Sequence, residues 1–388
     1  MKTITIDRYI ASILFLLLLL SILSTINLIN INPQILSLSI IGLSAYLLLS
    51  ILMVNGFLFV QIKMFLPYII FVSIYIFNLI ANPTQSAVNN IIFFIAYASF
   101  LFVIMNINWK KHHLKLLKLI SYFCLTILLF ILVFDFNIDV NPNRVGVIAF
   151  VLSFFPLLYI MSYAKRFKSI RLLTFIGFSA TIILISGARS VLLSIGFILI
   201  TYIVWKLISK NKKLFKLFFW TVTGIMFVYT VIYPKLVTLL PNFNYYEQLM
   251  IEYTGKSIHS GRNVLWNIIL DSVSQKPILG YGSGTLMSDF LDTDHSTHNL
   301  YLTITLQVGV LGLIFFILFL NKIWNVFWTN RFDKKVLLGA SFFIGILTLQ
   351  LHEDLLIVSS TAINFSMWLI IGIGLSYCFH KNNNPSKS

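Results

Sequence analysis

The sequence predicts an all-α polytopic membrane protein with about twelve transmembrane helices. Hydrophobic residues make up 59% of the 388 residues, charged residues make up 10%, and the mean hydropathy is +0.92. Soluble domains average roughly 45–50% apolar and about 25% charged residues. Because one span needs about 20 apolar residues, the chain accommodates about twelve spans and one modest loop. We therefore expect residues 1–388 to form a single integral membrane domain.

The individual spans are predicted from uninterrupted apolar runs of helical length. In chain order they cover residues 9–31, 34–54, 65–81, 88–107, 116–134, 145–163, 172–187, 190–207, 218–240, 299–320, 336–351 and 355–378. The first run follows a short basic start, as a signal peptide does, but it is longer than a signal peptide's apolar region and has no small-residue cleavage site. We expect it to remain as the first span.

The distribution of charge predicts the topology. Most of the 28 Lys and Arg residues lie between alternate spans, and most of the 12 Asp and Glu residues lie in the remaining connections. Since cytoplasmic loops are enriched in Lys and Arg, both termini are expected in the cytoplasm. This alternation explains the formal net charge of +16 without nucleic acid as a partner. Cys124 and Cys378 both lie in apolar runs, which argues against a disulfide framework or a cysteine metal site.

The longest connection, residues 241–298 between the ninth and tenth spans, is predicted to be an extracytoplasmic loop. Function in membrane proteins concentrates at polar segments of this kind. Ser260 can cap a helix that begins near Arg262, and apolar residues then recur at helical spacing. The pattern predicts an amphipathic helix lying on the membrane surface, which ends at Lys276 and Pro277.

Two arginines and one histidine are the candidate catalytic residues on this face. Arg189 lies at a tight corner between two spans, where a charge is unfavourable unless it snorkels or finds a partner. Arg262 opens the amphipathic helix. His298 immediately precedes the apolar helix that starts at Asn299, and the positive end of a helix dipole disfavours imidazolium. We therefore expect a neutral His298 that can accept a proton.

A glycine-rich turn and an acidic outer turn are further candidates. Gly280 and Gly282 form either a plain flexible turn or a phosphate cradle; they are not a dinucleotide fingerprint, because no strand precedes them. His352, Glu353 and Asp354 lie in the tight turn between the last two spans. They either line the same opening as the two arginines and His298 or form a solvated turn.

The run Asp292, Asp294, His295 leaves the question of a metal open. Together with His298 these side chains offer mixed oxygen and nitrogen ligands for a divalent cation. Their spacing fits no strict metal motif. We therefore name no metal ligands among these residues, and the question of a metal stays open.

Five short motifs resemble the signature region of the bacterial O-antigen polymerase and ligase superfamily (Wzy and WaaL). They are residues 186–190, 260–262 with Trp266, 277–282, 298–302 and 309–313. The resemblance implies an integral membrane glycosyltransferase of the GT-C kind, which uses sugars carried on undecaprenyl diphosphate and needs no metal or other cofactor. It also implies that Arg189 and Arg262 hold the diphosphate and that His298 takes the proton of the acceptor hydroxyl. The expected substrate-binding residues are Gly280, Gly282, Asn299, Tyr301, His352 and Glu353.

The predicted function is a repeat-unit polymerase at the outer face of the cytoplasmic (inner) membrane. It would transfer an O-antigen- or capsule-type glycan from undecaprenyl diphosphate to an acceptor sugar hydroxyl, with inversion. The alternative is a ligase that moves the same glycan onto lipid A core, protein or another surface acceptor. A flippase is less favoured, because the mid-span positions offer few polar residues beyond Gln307, Asn364 and Asn78. Membrane lipids are expected partners, and a chain-length regulator protein is an open further partner.

Overall fold

The computed structural model describes residues 8–29, 31–55, 59–134, 141–259, 261–291, 296–357 and 362–379, and within these ranges it is helical and contains no strand. The helices are α1 (Arg8–Thr25), α2 (Pro33–Asn55), α3 (Phe59–Ala81), α4 (Gln85–Asn106), α5 (Lys111–Phe134), α6 (Pro142–Tyr163), α7 (Lys168–Ser186), α8 (Arg189–Ile208), α9 (Lys212–Ile232), α10 (Leu236–Leu239), α11 (Phe243–Thr254), α12 (Arg262–Gln275), α13 (Leu300–Phe327), α14 (Lys334–Leu349) and α15 (Ala362–Phe379).

The chain is a multi-pass membrane protein. Among the described residues, nine helices are long and apolar enough to cross a membrane, namely α2 to α9 and α13. Two shorter apolar helices cover Ala11–Thr25 and Ile363–Phe379. Each predicted span coincides with a helix, whereas twelve crossings remain a prediction, because α1, α14 and α15 have only 18, 16 and 18 residues.

Small residues allow the central helices to approach closely. The pairs α8 with α14, α3 with α13 and α4 with α15 pack most extensively. Gly339 of α14 faces Gly374 of α15, where a Cβ on either residue would meet the backbone of the other. Such glycine contacts let membrane helices gain van der Waals packing that larger side chains would prevent.

A break divides α13, which the sequence predicted as a continuous span. Val308 (φ −130°, ψ 16°) and Gly309 (φ 70°, ψ −175°) are not helical. The turn after α12 satisfies the backbone groups that the break exposes. Val310 N–H donates to the Pro277 carbonyl over 2.8 Å, and Tyr281 N–H donates to the Leu306 carbonyl over 2.9 Å. Non-helical backbone inside a membrane protein requires internal partners of this kind.

The predicted loop, residues 241–298, contains two α-helices among its described residues, α11 and α12, of which the sequence predicted only α12. This helix begins at Arg262 and ends before Lys276, as expected. Its buried face consists of Trp266, Ile269 and Ser272, and it packs against α13. The predicted cap Ser260 lies outside the described residues, and the membrane-surface position of α12 remains a prediction.

Candidate active site

A polar cavity of about 370 Å³ lies at the end of the helix bundle where α6, α12 and α13 begin. Arg262 and His298, two of the three predicted catalytic residues, both line it. Glu353 and Asp354 line it from the turn after α14. Its other lining residues are Asn141, Asn143, Arg144, Val147, Ser296 and Leu355. The cavity therefore brings together basic, acidic and amide side chains from four segments that are distant in sequence.

Hydrogen bonds to backbone carbonyls hold these segments together. Trp266, one turn into α12, donates its indole N–H to the Thr297 carbonyl over 3.0 Å. Leu300 N–H, at the start of α13, lies 3.0 Å from the Gln350 carbonyl and 3.2 Å from the Glu353 carbonyl. Because these bonds join α12, α13 and the turn after α14, they fix the relative positions of Arg262, His298 and Glu353.

His298 occupies the position immediately before the cap of α13. Its φ of 49° lies in the left-handed region, which histidine tolerates better than most residues do. Asn299 caps the helix: its side-chain oxygen accepts from the N–H groups of Tyr301 (3.0 Å) and Leu302 (3.1 Å). Asn299 is fully buried, so the structure places it as the support beneath His298. Its predicted substrate-binding role remains untested.

The Arg262 guanidinium donates a hydrogen bond to His352. The sequence predicted His352 as a substrate-binding residue. Arg262 Nη1 lies 2.9 Å from His352 Nδ1, and His352 Nε2 lies 2.8 Å from the Tyr229 hydroxyl. A guanidinium can only donate, so Nδ1 is the acceptor and the proton is on Nε2. Burial, together with the smaller effects of the Arg262 and Arg189 charges, lowers the pKa of His352 to about 3. Both ring nitrogens are thus engaged within the protein.

Glu353 and Asp354 are half-buried acids beside Arg262. Glu353 Oε1 lies 4.0 Å from Arg262 Nη2, which is a loose ion pair. Burial raises the pKa of Glu353 to about 7, against the opposing effect of Arg262. Burial also raises the pKa of Asp354, while a hydrogen bond from Ser296 lowers it. Glu353 can therefore exchange a proton near neutral pH.

Arg189 is the first residue of α8, at the corner after α7. Gly187 ends α7 with φ 61°, and this left-handed residue permits the tight turn. The charge of Arg189 lowers the pKa of His352, which is bonded to Arg262. Arg189 therefore lies within electrostatic range of the Arg262 pair, although it does not line the polar cavity itself.

The structure does not bring Gly280 and Gly282 to the cavity. They lie in the turn that fills the break in α13, where a Cβ on Gly280 would meet the backbone of Leu306 and Gln307. The Gly282 N–H donates to the Gln307 carbonyl over 3.0 Å, so it is not available to a phosphate. Of the two alternatives left open by the sequence, the geometry favours the turn. It is a packed turn rather than a flexible one.

Tyr301 also faces away from the polar cavity. Its hydroxyl donates to the Leu347 carbonyl over 2.8 Å. Its side chain lines a second cavity of about 300 Å³, which is almost wholly apolar and lies between α9, α12, α13 and α14. The remaining lining residues of this apolar cavity are Phe219, Thr223, Met226, Phe227, Thr230, Val231, Leu270, Val273, Leu302, Thr305, Val310, Leu313, Ile317, Leu320 and Leu347.

Sequence reasoning missed Tyr229 and Arg144 as parts of the site. Tyr229 is one aromatic residue within an apolar span, and nothing in the sequence sets it apart. Arg144 does stand out, as a lone basic residue on a predicted extracytoplasmic connection, and that signal could have identified it. In the described part of the chain, no three His, Cys, Asp or Glu side chains are placed to hold a metal. Asp292, Asp294 and His295 lie outside the described residues.

Comparison with known families gives one match. Residues 173–317 match the model of the family Wzy_C, O-antigen ligase. The match supports membership of the O-antigen polymerase and ligase superfamily and confirms the resemblance. No curated protein matches the chain. The residues matched to the O-antigen ligase domain include Arg189, Arg262 and His298, whereas the turn with His352 and Glu353 follows them.

Proposed function

We propose that this chain is a membrane glycosyltransferase that polymerises lipid-linked repeat units of a polysaccharide. The observation that carries the proposal is the shared cavity: Arg262 and His298, both within the O-antigen ligase domain, face one polar space. Such a transfer needs a cation that stabilises the leaving group and a base that takes the proton of the acceptor hydroxyl. The charge distribution supports a site on the outer face of the cytoplasmic membrane.

The donor is a glycan on undecaprenyl diphosphate, and Arg189 and Arg262 hold its phosphate groups. Each guanidinium offers fork-shaped hydrogen bonds to phosphate oxygens. The apolar cavity beside α12 supports this assignment, because its walls suit the polyprenyl chain. The apolar cavity begins near Arg262 and its partner His352. Two of its lining residues, Thr230 and Val231, directly follow Tyr229, whose hydroxyl is hydrogen-bonded to His352.

The transfer is a direct displacement at the anomeric carbon. The acceptor hydroxyl oxygen forms the new bond, and the bond between the anomeric carbon and the diphosphate oxygen breaks. The hydroxyl proton passes to His298, and undecaprenyl diphosphate leaves with the bonding electron pair and one additional negative charge. Because attack and departure occur on opposite faces, the configuration inverts. The arginines stabilise the charge that develops on the leaving group.

A ligase is the second candidate, and the family description favours it specifically, since the matching model is that of O-antigen ligase. The two activities share the donor and the displacement step. They differ only in the acceptor, which is a second repeat unit for a polymerase and lipid A core, protein or another surface acceptor for a ligase.

The three mid-span polar residues Gln307, Asn78 and Asn364 form hydrogen bonds within the protein, which supports an enzyme over a flippase. Gln307 accepts from the Tyr75 hydroxyl over 2.9 Å and donates to the Thr285 carbonyl over 2.9 Å. Asn78 donates to the Leu279 carbonyl, and Asn364 donates to the Tyr97 hydroxyl. These groups hold helices and loops together and do not line either cavity described above.

The deciding experiment incubates purified protein with its undecaprenyl-diphosphate repeat unit, with EDTA present. A ladder of products from this substrate alone supports the polymerase. Product that forms only after a second acceptor is added supports the ligase. If neither condition yields transfer, the proposed function is wrong.

Three variants test the residues. Arg189→Ala, Arg262→Ala and His298→Ala should each lower transfer by about 100-fold or more, the usual effect in enzymes of losing one group that stabilises developing charge or one general base. Arg166→Ala, at an exposed position between α6 and α7, is the matched control and should retain activity. Normal product length in all three site variants would contradict the proposed mechanism.

A further inference from the structure

Three cations from two helices lie together at the end of the bundle opposite the polar cavity. They are Lys115 and Lys118 of α5 and Arg171 of α7, and we call them the basic cluster. Helix α6 packs against both α5 and α7, and its first turn contributes Arg144 to the polar cavity. Its 22 residues span about 33 Å. The last turn of α6 therefore lies about one bilayer thickness away from that cavity.

Lys118 is held against the end of α6 by an aromatic ring. Its ammonium group lies 4.6 Å from the centre of the Tyr159 ring and 6.0 Å from that of the Tyr122 ring, distances at which a cation and a ring attract each other. Tyr159 lies one turn before Tyr163, where α6 ends. Among the described residues, no hydrogen-bond acceptor is paired with the Lys118 ammonium, so its N–H groups can donate to a ligand.

A ring contact between α5 and α7 places Arg171 beside Lys118. Tyr122 of α5 packs edge-on against Phe175 of α7, with the ring centres 5.2 Å apart. The two helices run in the same direction, because α6 crosses back between them. Lys118 precedes Tyr122 by four residues, and Arg171 precedes Phe175 by four residues. Since four residues are about one helical turn, both cations lie one turn from the same contact and at the same level.

Lys115 completes the basic cluster. It lies three residues before Lys118, on the same face of α5. Lys115 and Arg171 are both exposed, and both act electrostatically on Lys118. Helices α5, α6 and α7 contain no Asp or Glu, and the connection between α6 and α7 adds Lys165 and Arg166. These three helices therefore present positive charge without a carboxylate of their own to balance it.

Exposed apolar side chains continue from the basic cluster toward the middle of the bundle. Leu119 and Phe123 follow Lys115 by one and two turns, and their exposed fractions are 51% and 55%. Leu173 follows Arg171 on α7 and is 70% exposed. A ligand with an anionic head and acyl chains matches both parts of this surface, whereas a soluble anion matches only the cations.

We propose that the basic cluster binds the phosphate of an anionic phospholipid, whose acyl chains lie along α5 and α7. The Arg171 guanidinium can donate two parallel N–H groups to phosphate oxygens, and the Lys118 ammonium has three N–H donors. Lys115 adds a third positive charge. Basic pockets between membrane helices bind head groups of this kind. The site lies at the opposite end of the bundle from the polar cavity and does not depend on the proposed glycan transfer.

The test measures phospholipid binding to the purified full-length protein in detergent by native mass spectrometry. Phosphatidylglycerol and phosphatidylcholine with the same acyl chains are titrated separately, so that only the head group differs. Lys118→Gln and Arg171→Gln each remove one cation of the cluster. The matched control is Lys206→Gln, which removes an exposed lysine from the last turn of α8 at the same end of the bundle. All three variants change the net charge of the protein equally.

We expect the wild type to bind phosphatidylglycerol about tenfold or more tightly than phosphatidylcholine. Lys118→Gln and Arg171→Gln should each bind phosphatidylglycerol about tenfold more weakly, the loss of one charge-assisted hydrogen bond. Lys206→Gln should bind it like the wild type. Phosphatidylcholine binding and thermal unfolding without added lipid should be the same for all four proteins, which separates loss of the site from misfolding.

Three outcomes would overturn the proposal. One is equal affinity of the wild type for the two phospholipids. Another is equal phosphatidylglycerol binding by Lys118→Gln, Arg171→Gln and Lys206→Gln, because the attraction would then come from net charge alone. The third is displacement of phosphatidylglycerol by millimolar inorganic phosphate, which would show that the basic cluster binds a soluble anion instead of a lipid.

Discussion

Arg262 donates to Nδ1 of His352 over 2.9 Å, and this bond sets the direction of a guanidinium that lines the polar cavity. The ring of His352 packs against Trp266 and Tyr233, so it cannot easily rotate. Because the opposite nitrogen meets Tyr229, one tautomer satisfies both partners. Both ring nitrogens of His352 thus have partners within the protein, and we expect this residue to position Arg262.

His352→Asn should retain more activity than His352→Ala. An asparagine carbonyl can occupy the place of Nδ1 and accept from Arg262, whereas alanine leaves the guanidinium without its partner. We expect His352→Ala to lower kcat/KM by about tenfold or more, the effect of one lost hydrogen bond to a charged group. Steady-state kinetics of transfer by the two purified variants checks this. Equal losses in both variants would contradict the positioning role.

The raised pKa of Glu353 predicts that the stability of the folded protein depends on pH. Its pKa is raised from 4.5 to about 7, so the folded protein holds a proton that the unfolded chain releases in this window. The free energy of unfolding should therefore fall as the pH rises from about 4.5 to 7, by up to about 3 kcal/mol. Arg262, Asp354 and Arg144 act on Glu353, and His298 lines the same cavity.

Glu353→Gln removes this titration. Relative to the variant, the wild type should lose stability as the pH rises through the window, and the two should differ least at the acidic end. Unfolding of both proteins in detergent at four pH values between 5 and 8 measures the difference. Parallel curves would show that Glu353 is ionised throughout.

The fold could be predicted from the sequence wherever a helix is an uninterrupted apolar run. Helix α8 was expected over residues 190–207 and covers Arg189–Ile208. The break in α13 could not be predicted, because Val308 and Gly309 lie within an apolar run. The partners that stabilise the break, among them Pro277 and Tyr281, come from a turn outside the helix.

The site was predictable to the extent that its residues are polar outliers in an apolar chain. This criterion identified Arg262 and His298, which share the cavity. It could not reveal that Arg262 bonds to His352, since the two residues are 90 positions apart. It also included Gly280 and Gly282, which do not line the cavity, because glycines in a polar loop carry no information about which helix they pack against.

Gly309→Ala should destabilise the protein strongly. The backbone of Gly309 (φ 70°, ψ −175°) lies in a region that is essentially restricted to glycine, and an added Cβ would meet the Ile278 carbonyl. Backbone strain alone should lower the free energy of unfolding by about 1–3 kcal/mol. Gly177→Ala in α7 is the control, because a Cβ there meets no atom within 4 Å. Unfolding measurements in detergent on both variants decide the matter, and similar stability of the two would contradict the strained break.

Filling the apolar cavity should weaken binding of the lipid-linked donor, and the effect should be larger for a longer lipid. Leu270 of α12 lines this cavity, and tryptophan at this position would occupy the space that the proposed function assigns to the polyprenyl chain. The displaced carbons return to lipid and lose their van der Waals packing against the cavity walls, so KM for an undecaprenyl donor should rise severalfold. A donor with a short, ten-carbon lipid does not reach as far and should be affected less.

The control for this prediction is Leu199→Trp, which adds the same bulk to α8 at a side chain that is 55% exposed. It should leave KM for both donors unchanged. Measuring KM for the long and short donors with both variants separates loss of the lipid site from general misfolding, because misfolding would lower the rates with both donors equally. If Leu270→Trp uses both donors as the wild type does, the polyprenyl chain lies elsewhere and the apolar cavity is a packing defect among α9, α12, α13 and α14.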